Sequence, residues 1–84
     1  MPEIAREGKY RLCVYYNDHP PPHVHVYFEG KNIRVNLIDL SIMGNPNIKQ
    51  YVIKEIRQLV RKYAGEALRV WERKSGEETE YNNE

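Results

Sequence analysis

Residues 18–26 read Asp-His-Pro-Pro-Pro-His-Val-His-Val and contain all three histidines of the chain. The three central prolines fix their φ angles and donate no backbone hydrogen bonds, so they predict a stiff, extended connection between two strands. Beyond them the residues alternate, which places His23 and His25 on one face of a strand and Val24 and Val26 on the other. The stretch therefore predicts a strand with one buried face and one chemical face.

Two further segments show the same alternation. The sequence predicts strands over residues 9–16, 23–29 and 32–38, with a tight turn between the second and third. Because polar and apolar residues alternate in all three, we expect an antiparallel meander that buries one face. The residues of that face are Tyr10, Leu12, Val14, Tyr16, Val24, Val26, Phe28, Ile33, Val35 and Leu37.

After residue 48 the period of the apolar residues becomes helical and stays so to about residue 74. We expect one long C-terminal helix, with two helices broken around Ala64 and Gly65 as the alternative. Because a helix of this length exceeds the strands, either it bends near Gly65 or its far end meets another chain. Laid on the face of Val24, Val26 and Phe28, this helix gives an α+β fold. The predicted apolar stripe is Val52, Ile53, Ile56, Leu59, Val60, Tyr63, Ala67, Leu68 and Trp71.

Composition predicts one small α+β domain over residues 1–74, followed by a disordered acidic tail over residues 75–84. Four of the twelve acidic residues and none of the thirteen basic residues fall in that tail, which leaves residues 1–74 with a net charge of +5. Cys13 is the only cysteine and no apolar run is long enough to span a membrane. These features predict a cytoplasmic protein without a membrane contact.

The histidines suggest acid–base chemistry on RNA as a first interpretation, because imidazole exchanges protons near neutral pH. His19, His23 and His25 are the candidate catalytic residues. Arginine would offset phosphate charge and tyrosine would stack on bases. The candidate binding residues on the same face are Arg11, Tyr15, Tyr27 and Arg34.

Two other functional interpretations stay open, beside the structural one that His23 and His25 only pack or form hydrogen bonds on the open face of the sheet. Two histidines at i and i+2 on a strand can bind one divalent metal such as zinc, with loop residues adding ligands; the candidate set is Asp18, His19, His23 and His25. The third interpretation is a protein-interaction module or homodimer, because a short sheet has two open edges and exposed tyrosines are typical of interfaces.

The motif of residues 18–26 resembles the Asp-His-x-Pro-Pro-His-Val-His-Val signature of a family of small prokaryotic proteins. Residues 2–4 and Trp71 also fit that family, and the resemblance covers residues 2–74. The family is a domain of unknown function whose members are suggested to occur in toxin–antitoxin-like gene pairs. The resemblance implies a small partner protein encoded nearby and an RNA-directed role, and it assigns no catalytic residues.

Overall fold

Five antiparallel strands and one helix make up the part of the chain that the structure describes. The structure is a computed structural model that describes residues 3–15 and 19–82, with side chains as far as residue 73. The elements are β1 (Glu3–Glu7), β2 (Tyr10–Cys13), β3 (His23–Phe28), β4 (Lys31–Asn36), β5 (Ile42–Met43) and α1 (Gln50–Asn82). The strands lie in the sheet in the order in which they follow one another along the chain.

The three central strands confirm the predicted meander. In the register, Leu12 lies opposite Val26, and Val26 lies opposite Ile33. These side chains share one face, and every described residue predicted for that face is buried. Tyr16, also predicted there, lies outside the described residues. The turn between β3 and β4 consists of Glu29 and Gly30, both with positive φ angles, which suits the right-handed twist of a two-residue hairpin.

The predicted three-stranded sheet is wrong, because one more strand pairs at each edge. β1 has a largely polar sequence without clear alternation, and its strand conformation comes from pairing with β2 across the turn at Gly8 and Lys9. β5 is two residues long and pairs with Arg34 and Val35 of β4. A strand this short shows no period, so the sequence pattern gave no sign of it.

Helix α1 is a single helix, as predicted, and the alternative of two helices broken at Gly65 is wrong. It passes from one end of the sheet to the other, since Tyr10 donates a hydrogen bond to Glu55 near the helix start and the Trp71 ring contacts His23. At 33 residues its length is about 50 Å, against about 20 Å for six-residue β3. The helix continues to Asn82, past the predicted end at residue 74, whereas the predicted disorder of residues 75–84 stays a prediction.

Edge strand β1 is tied to the helix by Glu7. Its carboxylate accepts a hydrogen bond from the Lys62 ammonium at 2.6 Å and a second from the Tyr63 hydroxyl. The bond from Lys62, with that from Tyr63, lowers the pKa of Glu7. These polar contacts explain how a strand with little apolar content keeps its place at the sheet edge.

Gly65→Ala is expected to raise the free energy of unfolding by about 0.5–1 kcal/mol, because glycine in a helix interior costs conformational entropy. Gly65 is exposed, and a Cβ atom there would have Arg69 Nη1 as its nearest neighbour at 3.8 Å, an ordinary contact. Urea denaturation followed by the fluorescence of Trp71, the only tryptophan, measures the change.

Gly30→Ala is the matched control. Gly30 has a φ angle of +75°, which L-residues rarely adopt, so the same substitution should lower stability although the space around it is open. A loss of stability in Gly65→Ala would contradict the expectation and would indicate that the helix needs glycine at this position for a bend.

Candidate functional site

The polar face of the sheet carries two rows of side chains across its central strands. Because paired residues of neighbouring antiparallel strands project to the same side, each row lies close together. One row holds Cys13, His25 and Arg34, and the next holds Arg11, Tyr27 and Asn32. Five residues of these rows therefore meet around His25.

Five rings form a continuous cluster on and beside this face: Tyr15, His23, His25, Tyr27 and Trp71. We call it the ring cluster. Edge-on contact joins Tyr15 to His25 with ring centroids 4.8 Å apart, and His25 stacks on Tyr27 at 6.2 Å. His23 lies 5.1 Å from His25 and 5.4 Å from Trp71. The two tyrosine hydroxyls are hydrogen bonded at 2.6 Å.

Both histidines are buried by these rings. His23 is 5% exposed and His25 is 9% exposed. They lie on the predicted polar face of the sheet, and there the chain's own rings cover them. Trp71 of α1 contacts the His23 ring at the first residue of β3 and covers it.

Hydrogen bonds fix the orientation of both imidazoles. His23 Nδ1 lies 2.9 Å from the carbonyl oxygen of Pro21, and His25 Nδ1 lies 3.1 Å from Oδ1 of Asn32. The carbonyl oxygen of Pro21 can only accept, so Nδ1 of His23 donates this bond. The proline segment itself therefore helps to hold His23.

The candidate metal ligands are only partly brought together. His23 and His25 are neighbours, while His19 is exposed and has no ring or hydrogen-bond contact with either within the described residues. Asp18 lies outside the described residues. No group of three or more His, Cys, Asp or Glu side chains suited to a metal is found in residues 3–15 and 19–73. The four-ligand set therefore stays a prediction.

The Tyr15 hydroxyl and the Cys13 thiol on this face both have raised pKa values. The hydrogen bond with Tyr27, together with burial, raises the pKa of Tyr15 well above its ordinary value. Burial also raises the pKa of the Cys13 thiol, which disfavours the reactive thiolate. Both side chains are therefore protonated at neutral pH, and neither is suited to act as a base or nucleophile.

The two arginines of the face differ in their surroundings. Arg11 donates from Nε to Glu3 at 2.8 Å, a contact that raises the pKa of Arg11, and its guanidinium lies 5.7 Å from the Tyr27 ring centroid. Arg34 lies directly opposite His25, is exposed, and forms no hydrogen bond or ion pair with the described residues. Arg34 is thus a cation available to an anionic ligand.

A family model for a domain of unknown function (DUF4160) matches residues 10–72 of the 84-residue chain. The chain belongs to the DUF4160 family. No curated protein and no solved structure matches it. The region that matches DUF4160 starts at the first residue of β2 and extends just past Trp71, so it includes the whole ring cluster. The family description names no activity.

Sequence reasoning did not assign Asn32, Trp71 or Glu3 to the site of this DUF4160 chain. The alternation of β4 places Asn32 on the polar face. The two-residue turn before β4 fixes the register of the hairpin, so the sequence could have assigned Asn32 to the site. Trp71 was expected in the core, where it is, and its contact with His23 depends on the direction in which α1 crosses the sheet. Glu3 lies in β1, a strand that the sequence did not predict.

Proposed function

We propose that this DUF4160 protein binds single-stranded RNA through the exposed rim of the ring cluster. The rim is formed by Arg11, Tyr27, Asn32 and Arg34, and we call it the arginine–tyrosine face. The observation that carries the proposal is Arg34, an exposed guanidinium opposite buried His25 without an ion pair to the described residues. A planar guanidinium binds phosphate in a bidentate manner and stacks on bases.

Aromatic and basic groups alternate along this face, as they do in single-strand binding surfaces. Tyr27 is half-buried, so its ring keeps an exposed part next to Arg11. A cavity of about 360 Å³ lies beside it and is lined by side chains that include Arg11, Tyr27, Lys31 and Asn32. Glu3 offsets part of the charge of Arg11, which makes Arg34 the principal phosphate contact in this proposal.

Burial of the histidines favours binding over cleavage. His23 and His25 are each largely covered, and each uses Nδ1 for a bond within the chain. Acid–base cleavage would need two imidazoles within hydrogen-bond reach of one ribose and its phosphate. In this proposal the histidines hold the face in shape, while arginine and tyrosine contact the RNA.

The wider setting is proposed as well. The family resemblance in the motif of residues 18–26 supports a cytoplasmic member of a toxin–antitoxin-like pair with a small partner protein. Ile38 is 70% exposed in the turn that leads to edge strand β5, and a partner of this kind would cover it. None of the helices in the described ranges is long and apolar enough to cross a membrane.

Arg34→Gln is expected to weaken RNA binding about tenfold, or about 1.4 kcal/mol, because it removes a charge-assisted contact to phosphate. Fluorescence anisotropy with an end-labelled single-stranded RNA, at one fixed salt concentration, measures the change. Arg69→Gln is the matched control, since Arg69 is an exposed arginine on α1 outside the face.

Equal weakening by both variants would show that only net charge matters, and no binding by the wild type would overturn the proposal. Gel analysis of the RNA recovered from the same samples separates binding from cleavage. Intact RNA is expected; shorter products lost with His23→Gln would return the histidines to a catalytic role.

A further inference from the structure

Three cavities adjoin one another from the arginine–tyrosine face to the outer side of α1. The first, of about 360 Å³, reaches Lys31 at the hairpin turn. The second, of about 280 Å³, is lined by Lys31, Lys49 and Tyr51 among others. The third, of about 630 Å³, runs along α1 from Tyr51 to Arg61. Because Lys31 and Tyr51 are each shared by two cavities, the surface is continuous.

The charge along this path has one sign. Among the described residues that line the three cavities, Glu29 is the only carboxylate, and it is paired with Lys9 at 3.1 Å. Lys54, Arg57 and Arg61 are exposed and form no hydrogen bond or ion pair with the described part of the chain. Asp39 lies close enough to the row for Arg57 to lower its pKa, after the larger effect of the hydrogen bonds from Ser41. Such a predominantly basic row attracts a polyanion.

The spacing of the basic residues on α1 suits an extended single strand of RNA. Lys54, Arg57 and Arg61 lie at i, i+3 and i+7, so they share one face over about 10 Å. Tyr51 begins the row and is 65% exposed. An exposed ring ahead of three cations repeats the chemistry of Tyr27 with Arg34, in which a ring stacks on a base and cations contact phosphates.

We propose that the RNA held by the arginine–tyrosine face continues around the β3–β4 turn and along α1, on a basic track formed by Lys31, Lys49, Tyr51, Lys54, Arg57 and Arg61. This inference rests on the proposed function and extends it, because it makes the ligand a single strand longer than the sheet face. Short RNA occupies the sheet face alone. Longer RNA reaches the helix and gains phosphate contacts there.

The test compares labelled single-stranded RNAs of about 5 and about 15 nucleotides, which lie near the two ends of the range of site sizes of single-strand binding domains. The double variant Arg57→Gln with Arg61→Gln is expected to weaken binding of the longer RNA about tenfold and to leave the short one unchanged. It should also reduce the salt dependence of the longer RNA by about 1.4 in the logarithmic slope, or about 0.7 for each lost phosphate contact. Arg69→Gln with Arg73→Gln is the matched double control.

The outcomes separate the two proposals. If Arg34→Gln weakens both RNAs and the Arg57 and Arg61 variant weakens neither, the sheet face binds RNA and the track is wrong. Equal weakening of both lengths by the helix variant would also overturn the track, since it would place the helix in the short site. If neither RNA binds the wild type, the proposed function itself fails.

Discussion

Trp71→Ala is expected to lower the free energy of unfolding by about 3–5 kcal/mol, the usual cost of truncating a buried aromatic side chain. Trp71 is 6% exposed and belongs to the hydrophobic core. Its ring also covers His23, so truncation would leave a cavity and expose an imidazole that is now buried. A domain of this size has a total stability of about 4–13 kcal/mol, which makes the loss a large part of the whole.

Urea denaturation followed by circular dichroism measures this loss, because the variant has no tryptophan fluorescence. Trp71→Phe keeps a ring in contact with His23 and should lose less. Glu72→Ala is the exposed neighbour on the same helix turn and should change stability by no more than about 0.5 kcal/mol. Equal stability of Trp71→Ala and Glu72→Ala would show that the helix turn that carries Trp71 does not pack on β3.

The central part of the fold could be predicted because burial acts on one face of each inner strand. That constraint produces the alternation of β2, β3 and β4 and the stripe of α1, and both are visible in the sequence. Edge strands carry less of this constraint. β1 is kept in place by its pairing with β2 and by the contacts of Glu7 with the helix, which depend on residues more than fifty positions away.

The candidate site could be predicted only as a set of residues on one face. Period two places His23, His25, Tyr27 and Arg34 together, and the structure brings them together. The burial of the histidines followed from neither period nor composition, because Trp71 reaches His23 through the length and direction of α1. The difference matters chemically, since an exposed imidazole can act on a polymer and a covered one mainly holds its neighbours.

His23→Ala is therefore expected to lower the free energy of unfolding by about 2–4 kcal/mol, whereas His19→Ala should change it by no more than about 0.5 kcal/mol. The substitution is identical in the two variants, and the sites are four positions apart in one motif. His23 loses its contacts with His25 and Trp71 and its bond to the Pro21 carbonyl; His19 is exposed.

A double-mutant cycle of His23→Ala with Trp71→Ala tests whether the two rings act together. Because the two rings are in contact, the double variant should lose less stability than the sum of the losses in the two single variants. The expected coupling free energy is about 0.5–3 kcal/mol. Where the double variant does not fold, His23→Gln with Trp71→Phe gives a milder cycle. RNA affinity measured on each folded variant then decides the role of the imidazole. If His23→Ala keeps wild-type stability and loses RNA binding, the ring contacts the ligand; if stability falls and the folded fraction binds normally, the ring supports the arginine–tyrosine face from within.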